Sequence, residues 1–297
     1  MPTAVVVTDQ VPFGEGPVWC PDGTLVCASV SHGTLLRIEP DAGTVTVVAD
    51  TGGGANAAAL ADDGSFLVTQ NGGFDLSAYP HVGQPSVRWC DPGLQHARRD
   101  GSVTSLTSKP LQAPNDLVVA RDGTVYFTDP EKAPPIYKVS RVLAYHLDGT
   151  LEEVAGGWTY VNGIAFDPDQ TTLVVVADDR QLLRLADFGR GEREPAIADI
   201  GEAGGDGFCL DVDGRYYVAS TGDHGIRVVD PDGSVVEFLP IPGDGLTTNC
   251  CFGGDDLRTL YATDAIPGHV VAWEGMPTPG LPLPTWPGLD GSSTDQA

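Results

Sequence analysis

Asn115-Asp-Leu-Val-Val-Ala-Arg-Asp-Gly123 is followed by Thr124-Val-Tyr-Phe-Thr-Asp-Pro130: a polar residue, an apolar run, an Asp-Gly turn, then a second apolar run. That is the grammar of two short antiparallel strands joined by a tight turn. The phrase recurs as Glu15 to Gly23, Asn56 to Gly64, Asn162 to Gln170, Asp206 to Gly214 and Asn249 to Leu257, each with a polar residue eight positions before the turn residue. First residues are separated by 41, 59, 47, 44 and 43 positions, the spacing of four-stranded propeller blades, with an insertion in the second interval around Asp75 to Arg99. Six copies predict an all-β fold, a six-bladed β-propeller over residues 1–275 with a central metal site. After Trp273 the chain turns Pro/Gly-rich, and residues 276–297 are expected to form a flexible tail.

Outward from the repeat, composition narrows the function classes. The 297 residues carry 41 Asp or Glu against 16 Lys or Arg, a formal charge of −25. Nucleic-acid binding calls for the opposite sign. No apolar run approaches the roughly 20 residues of a membrane helix, so no membrane partner is expected. The first ten residues lack the basic start and apolar stretch of a secretory signal, which predicts a cytoplasmic protein. Six cysteines, none in a CxxC pair, read as reduced thiols, and all but Cys90 lie in apolar strand-like runs. Strand edges are few in a closed propeller, so a monomer is the default and a dimer the alternative.

The sequence holds only five asparagines, Asn56, Asn71, Asn115, Asn162 and Asn249, and four of them stand at the repeat's first position. In a propeller these positions begin the innermost strands and form a ring around one mouth of the central channel. Glu15, Asn56, Asn115, Asn162, Asp206 and Asn249 then converge as carboxylate and amide oxygens, the donor set of a hard divalent cation. Ca²⁺ fits best; Zn²⁺, Mn²⁺ and Mg²⁺ are the alternatives. Taken singly, any of these residues is as well explained by local turn hydrogen bonds. No P-loop, GxSxG or HExxH motif is present, and the Asp211-Val-Asp-Gly214 run lacks the acidic end of an EF-hand loop.

Gly14-Glu15-Gly16-Pro17-Val18-Trp19, Pro114-Asn115-Asp116-Leu117, Tyr126-Phe127-Thr128-Asp129-Pro130, Val161-Asn162-Gly163 and Gly205-Asp206-Gly207-Phe208 resemble the motifs of the SMP-30/gluconolactonase/LRE-like family, nearest its bacterial gluconolactonase branch, over roughly residues 12 to 275. The resemblance implies one catalytic divalent metal, usually calcium, and hydrolysis of small-molecule lactones, or of organophosphates in related members. It places metal ligands at Glu15, Asn115, Asn162 and Asp206, with Asn115 alternatively touching substrate. Of the six ring residues only Glu15 and Asp206 can accept a proton, and the resemblance puts the general base at Asp206; direct nucleophilic attack by Asp206 is the alternative. Asn56, Asn115, Asn249, Asp129 and His224 are expected at the substrate. Relatives acting on aldonolactones often carry Arg two positions before the Asn matching Asn115. Ala113 stands here, which argues against a sugar lactone. Competing readings are the same cation acting on a phosphotriester or biosynthetic intermediate, and a non-catalytic binding propeller with a structural ion.

Overall fold

A computed structural model describes residues 2–75, 88–131, 140–178, 180–191 and 196–288. Among these residues twenty-four strands, β1–β24 in chain order, form six antiparallel sheets of four. The inner strands are β2 (Gly14–Trp19), β6 (Ala55–Leu60), β10 (Leu117–Val119), β14 (Val161–Phe166), β18 (Phe208–Leu210) and β22 (Thr247–Gly253). The second strands are β3 (Leu25–Ser29), β7 (Phe66–Gln70), β11 (Val125–Asp129), β15 (Leu173–Ala177), β19 (Tyr216–Ser220) and β23 (Thr259–Asp264). The sixth sheet borrows β1 (Val5–Thr8), which pairs with β24 (His269–Trp273) and closes the circle. Part of the insertion expected at Asp75 to Arg99 lies outside the described residues. Among those residues no helix is long and apolar enough to cross a membrane.

Every second strand is buried along its length, apart from Thr259 at the start of β23, and the reason is the packing between blades. Alternate side chains leave opposite faces of a sheet. Leu173, Val175 and Ala177 therefore pack toward the third blade with Tyr126 and Phe166, whereas Val174 and Val176 pack toward the fifth with Phe208 and Tyr216. Six apolar clusters fill the six interfaces between neighbouring blades. Two buried faces require uninterrupted apolar runs, which is why these strands read as runs rather than as alternation.

The first part of the expected tail lies against the propeller. Gly280 bridges Asp211 in the fifth blade and Trp286 bridges Ala61 in the second, so the segment runs across one end of the channel. Trp286 is fully buried between the second and third blades, edge-on to His96 at 5.3 Å between ring centres. Pro/Gly composition marks absence of helix and strand; it does not prevent a chain from being pinned by one large aromatic side chain. Residues 289–297 lie outside the described residues.

Candidate active site

All six ring residues lie where the inner strand is irregular. The ladder register shifts between Glu15 and Val18, Ala55 and Ala57, Val161 and Ile164, and Thr247 and Asn249. In the remaining blades two consecutive residues face one partner, Asn115 and Asp116 opposite Thr128, and Asp206 and Gly207 opposite Ala219. Such bulges re-aim side chains, here toward the axis. Glycine follows the ring residue in three blades because the next blade arrives there. A Cβ on Gly163 would collide with the Asp206 carbonyl, and one on Gly207 with the Asn249 amide.

The ring is knitted by side chains into two halves. In one, amides pass hydrogen bonds in a single direction: Asn71 Nδ2 donates to Asn56 Oδ1 (3.0 Å), Asn56 to Asn115, and Asn115 to Asn162 Oδ1 (2.6 Å). In the other, Asn249 Nδ2 donates to Asp116 Oδ1 (2.8 Å) and Glu15 Oε2 (3.4 Å), and the Gly16 amide also donates to Glu15 Oε2. All five asparagines of the chain thus belong to this centre. Two hydroxyls tie its backbone from blade to blade. Thr69 donates to the Asn115 carbonyl and accepts from the Ala57 amide; Thr128 donates to the Asn162 carbonyl (2.7 Å) and accepts from the Asp116 amide (3.2 Å).

Glu15 and Asp116 are buried, and neither has an ion-pair partner among the described residues. Burial, reinforced by the charges of Asp206 and Asp116, holds the Glu15 carboxyl well above its usual range. Burial likewise pushes Asp116 up to about 7, against the opposing hydrogen bond from Asn249. Acids gathered out of water without a counter-charge are what a cation relieves. Among the described residues no three His, Cys, Asp or Glu side chains gather closely enough to hold an ion alone. A fitting ion must therefore also use asparagine oxygens, which favours a hard cation with several oxygen ligands over zinc.

Above the ring opens a cavity of about 610 Å³. Glu15, Asn56, Asn115, Asn162 and Asp206 lie at its floor, and Phe13, Phe74, Trp89 and Tyr160 line its sides. Phe13 adopts a left-handed backbone conformation (φ 45°) two residues before Glu15, a strained state for a bulky side chain. Below the ring a second cavity of about 330 Å³ is mostly apolar, with Asp116 and Asn249 among its lining residues and 281–285 along its outer wall.

Three expected substrate contacts are placed elsewhere. Asn249 borders the lower cavity rather than the upper, held by Glu15 and Asp116. Asp129 sits behind the site: its Oδ1 accepts the Gln112 and Ala113 amides (3.0 and 2.9 Å), and its Oδ2 pairs with Arg141. His224 is buried between the Gly243 carbonyl and the Asp264 carboxyl, both at 3.0 Å, bracing the loop that leads into β22. Asp116 and Asn71 were missed. The rarity of asparagine pointed at Asn71, but its place outside the repeat's first position hid it.

Residues 13–266 match the family model described as SMP-30/Gluconolactonase/LRE-like region. The gluconolactonase of Zymomonas mobilis is 27% identical over 292 residues, covering 86% of this chain and 77% of that protein. The structure of a gluconolactonase from Xanthomonas campestris superposes with a TM-score of 0.74 at 26% identity, covering 94% of this chain and 89% of the other. A calcium-binding protein, regucalcin, from Agrobacterium tumefaciens has the same fold, with a TM-score of 0.79 at 20% identity over 96% and 97% of the two chains.

Proposed function

Because this chain belongs to the SMP-30/gluconolactonase/LRE-like family, we infer that it is a hydrolase that opens a lactone ring at a divalent cation held by Glu15, Asn162 and Asp206, with Asn115 beside them. The relatives named gluconolactonase support the reaction class. The observation that carries the cation is the pairing of buried Glu15 and Asp116, both short of counter-charge, with amide oxygens oriented around the same axis. Ca²⁺ is the expected ion, since every donor is oxygen.

When bound, the ion supplies Lewis-acid polarisation of the lactone carbonyl. The chain's own groups do the rest. Asp206, facing the upper cavity, accepts the proton of the attacking water and returns it to the departing alkoxide oxygen. Asn56 and Asn115 each keep one Nδ2 hydrogen beyond the amide chain to orient the ester oxygens. The chain of amides fixes those donors before substrate arrives, so little reorganisation is left for the reaction itself. Asp129 and Asp264 fix the loops from which the ring residues emerge.

The decisive assay follows acid release from a panel of lactones before and after exhaustive chelation. Ring opening that is lost with EDTA and restored by Ca²⁺ is expected. An undiminished rate in protein shown to be free of metal overturns the proposed role of the cation.

A further inference from the structure

Resting on the lactonase reading, we propose that the upper cavity selects a neutral lactone carrying an apolar substituent over polyhydroxylated or anionic lactones. Among the described lining residues, Phe13, Val30, Phe74, Trp89, Tyr160 and Leu246 form its sides, while most polar groups belong to the ring. Of the few polar side chains above the floor, Thr248 already donates its hydroxyl to the Gly14 carbonyl at 2.7 Å.

An aldonolactone buries a hydroxyl on nearly every ring carbon, and each one left unpaired against an apolar wall costs roughly 5- to 150-fold in affinity. A hydrocarbon chain gains from the same wall, about fourfold in affinity per buried methylene. At about 610 Å³ the cavity has room for a lactone ring with a side chain of several carbons.

Charge points the same way. No Lys, Arg or His is among the described lining residues, whereas Glu15, Asp75 and Asp206 are. Arg88, beside Trp89, is turned to Asp50 at 2.7 Å, and Arg141 is committed to Asp129 at 2.9 Å. A carboxylate, phosphate or sulfonate on the substrate therefore meets no cationic side chain among the described lining residues, on a chain of net charge −25. Trp89, 60% exposed, adds a large aromatic side chain to this wall.

The test compares δ-valerolactone, δ-octalactone and δ-decalactone with D-glucono-1,5-lactone, and separately measures calorimetric binding of the non-hydrolysable 6-pentylpiperidin-2-one and gluconolactam. We expect kcat/KM to climb at least tenfold from valerolactone to decalactone, through KM. Trp89→Ala and Phe74→Ser should flatten that climb, and the alkyl lactam should bind at least tenfold tighter than gluconolactam. That binding preference without turnover of any lactone supports the pocket's selectivity and sinks the lactonase reading alone. A flat alkyl series, or tighter binding of gluconolactam, overturns the selectivity, and turnover of gluconolactone then leaves the lactonase reading standing.

Discussion

Asp129 and Ala113 are joined across the edge of the third blade: the Ala113 amide donates to Asp129 Oδ1 at 2.9 Å, fixing the loop from which Asn115 enters the ring. The same carboxylate pairs with Arg141. Burial raises the Asp129 pKa, and the two amides and the guanidinium oppose that rise by stabilising its charge. Asp129→Ala takes this acceptor from both amides and leaves Arg141 only Glu153 at 3.5 Å, so destabilisation of about 3 kcal/mol is expected in urea titration. Because the residue touches no substrate, its effect on catalysis should appear in kcat and be shared by Arg141→Ala in the same direction.

Asp206→Asn keeps the shape of the ring and removes the proton acceptor proposed above. A loss of about 10²–10⁴-fold in kcat is expected, with a melting temperature close to that of the parent. Stopped-flow proton release measures the first and calorimetry the second; an active Asp206→Asn enzyme would move the base elsewhere.

Thr128→Val replaces a hydroxyl that links two blades with a methyl of similar size. The Asp116 amide and the Asn162 carbonyl then lose a partner inside the protein, at an expected cost of about 1–3 kcal/mol. Hydrogen exchange at the Asp116 amide should accelerate more than at the outer strands of the same blade.

The raised acids predict a pH dependence that the cation reverses. Asp116, pushed up to about 7, and Glu15, also raised, bind protons in the metal-free folded protein at pH values where the unfolded chain has released them. Stability of the metal-free protein should therefore fall as pH rises from about 4 through 7. Saturating Ca²⁺ should remove much of that slope and release protons on binding near pH 7. Denaturation midpoints at several pH values, with and without Ca²⁺, measure both.

Trp286→Ala empties a fully buried site between the second and third blades, for an expected loss of about 3–5 kcal/mol. Removing residues 276–297 should cost at least as much and open the lower cavity to an environment-sensitive apolar dye. A truncated chain as stable as the parent would mean that the crossing segment rests on the propeller without holding it.

The repeat made the blades legible, since each Asp-Gly or equivalent turn is followed by an apolar run that became a buried second strand. Ring membership was legible for Glu15, Asn56, Asn115, Asn162, Asp206 and Asn249 because the repeat's phase carries them to one circle. Height within that circle was not. Strict alternation along a strand would send Asp116 away from the side of Asn115, yet the bulge brings both to the axis, one at each cavity. His224 follows its second strand and Asp129 ends its own just as a pocket residue would, and only packing tells a side chain facing the channel from one bracing a loop. Trp286 was hidden by its surroundings, since proline and glycine mask an anchor that acts through a single ring.

Glu15 and Asn249 touch although 234 positions separate them, one in the blade that begins the ring and the other in the blade that β1 completes. No shorter stretch of chain contains the acidic half of the centre. The contact between Glu15 and Asn249 is therefore a property of the finished circle, and a protein cut anywhere between them keeps its blades' local grammar while losing the covalent tether that brings the two ends of this centre home.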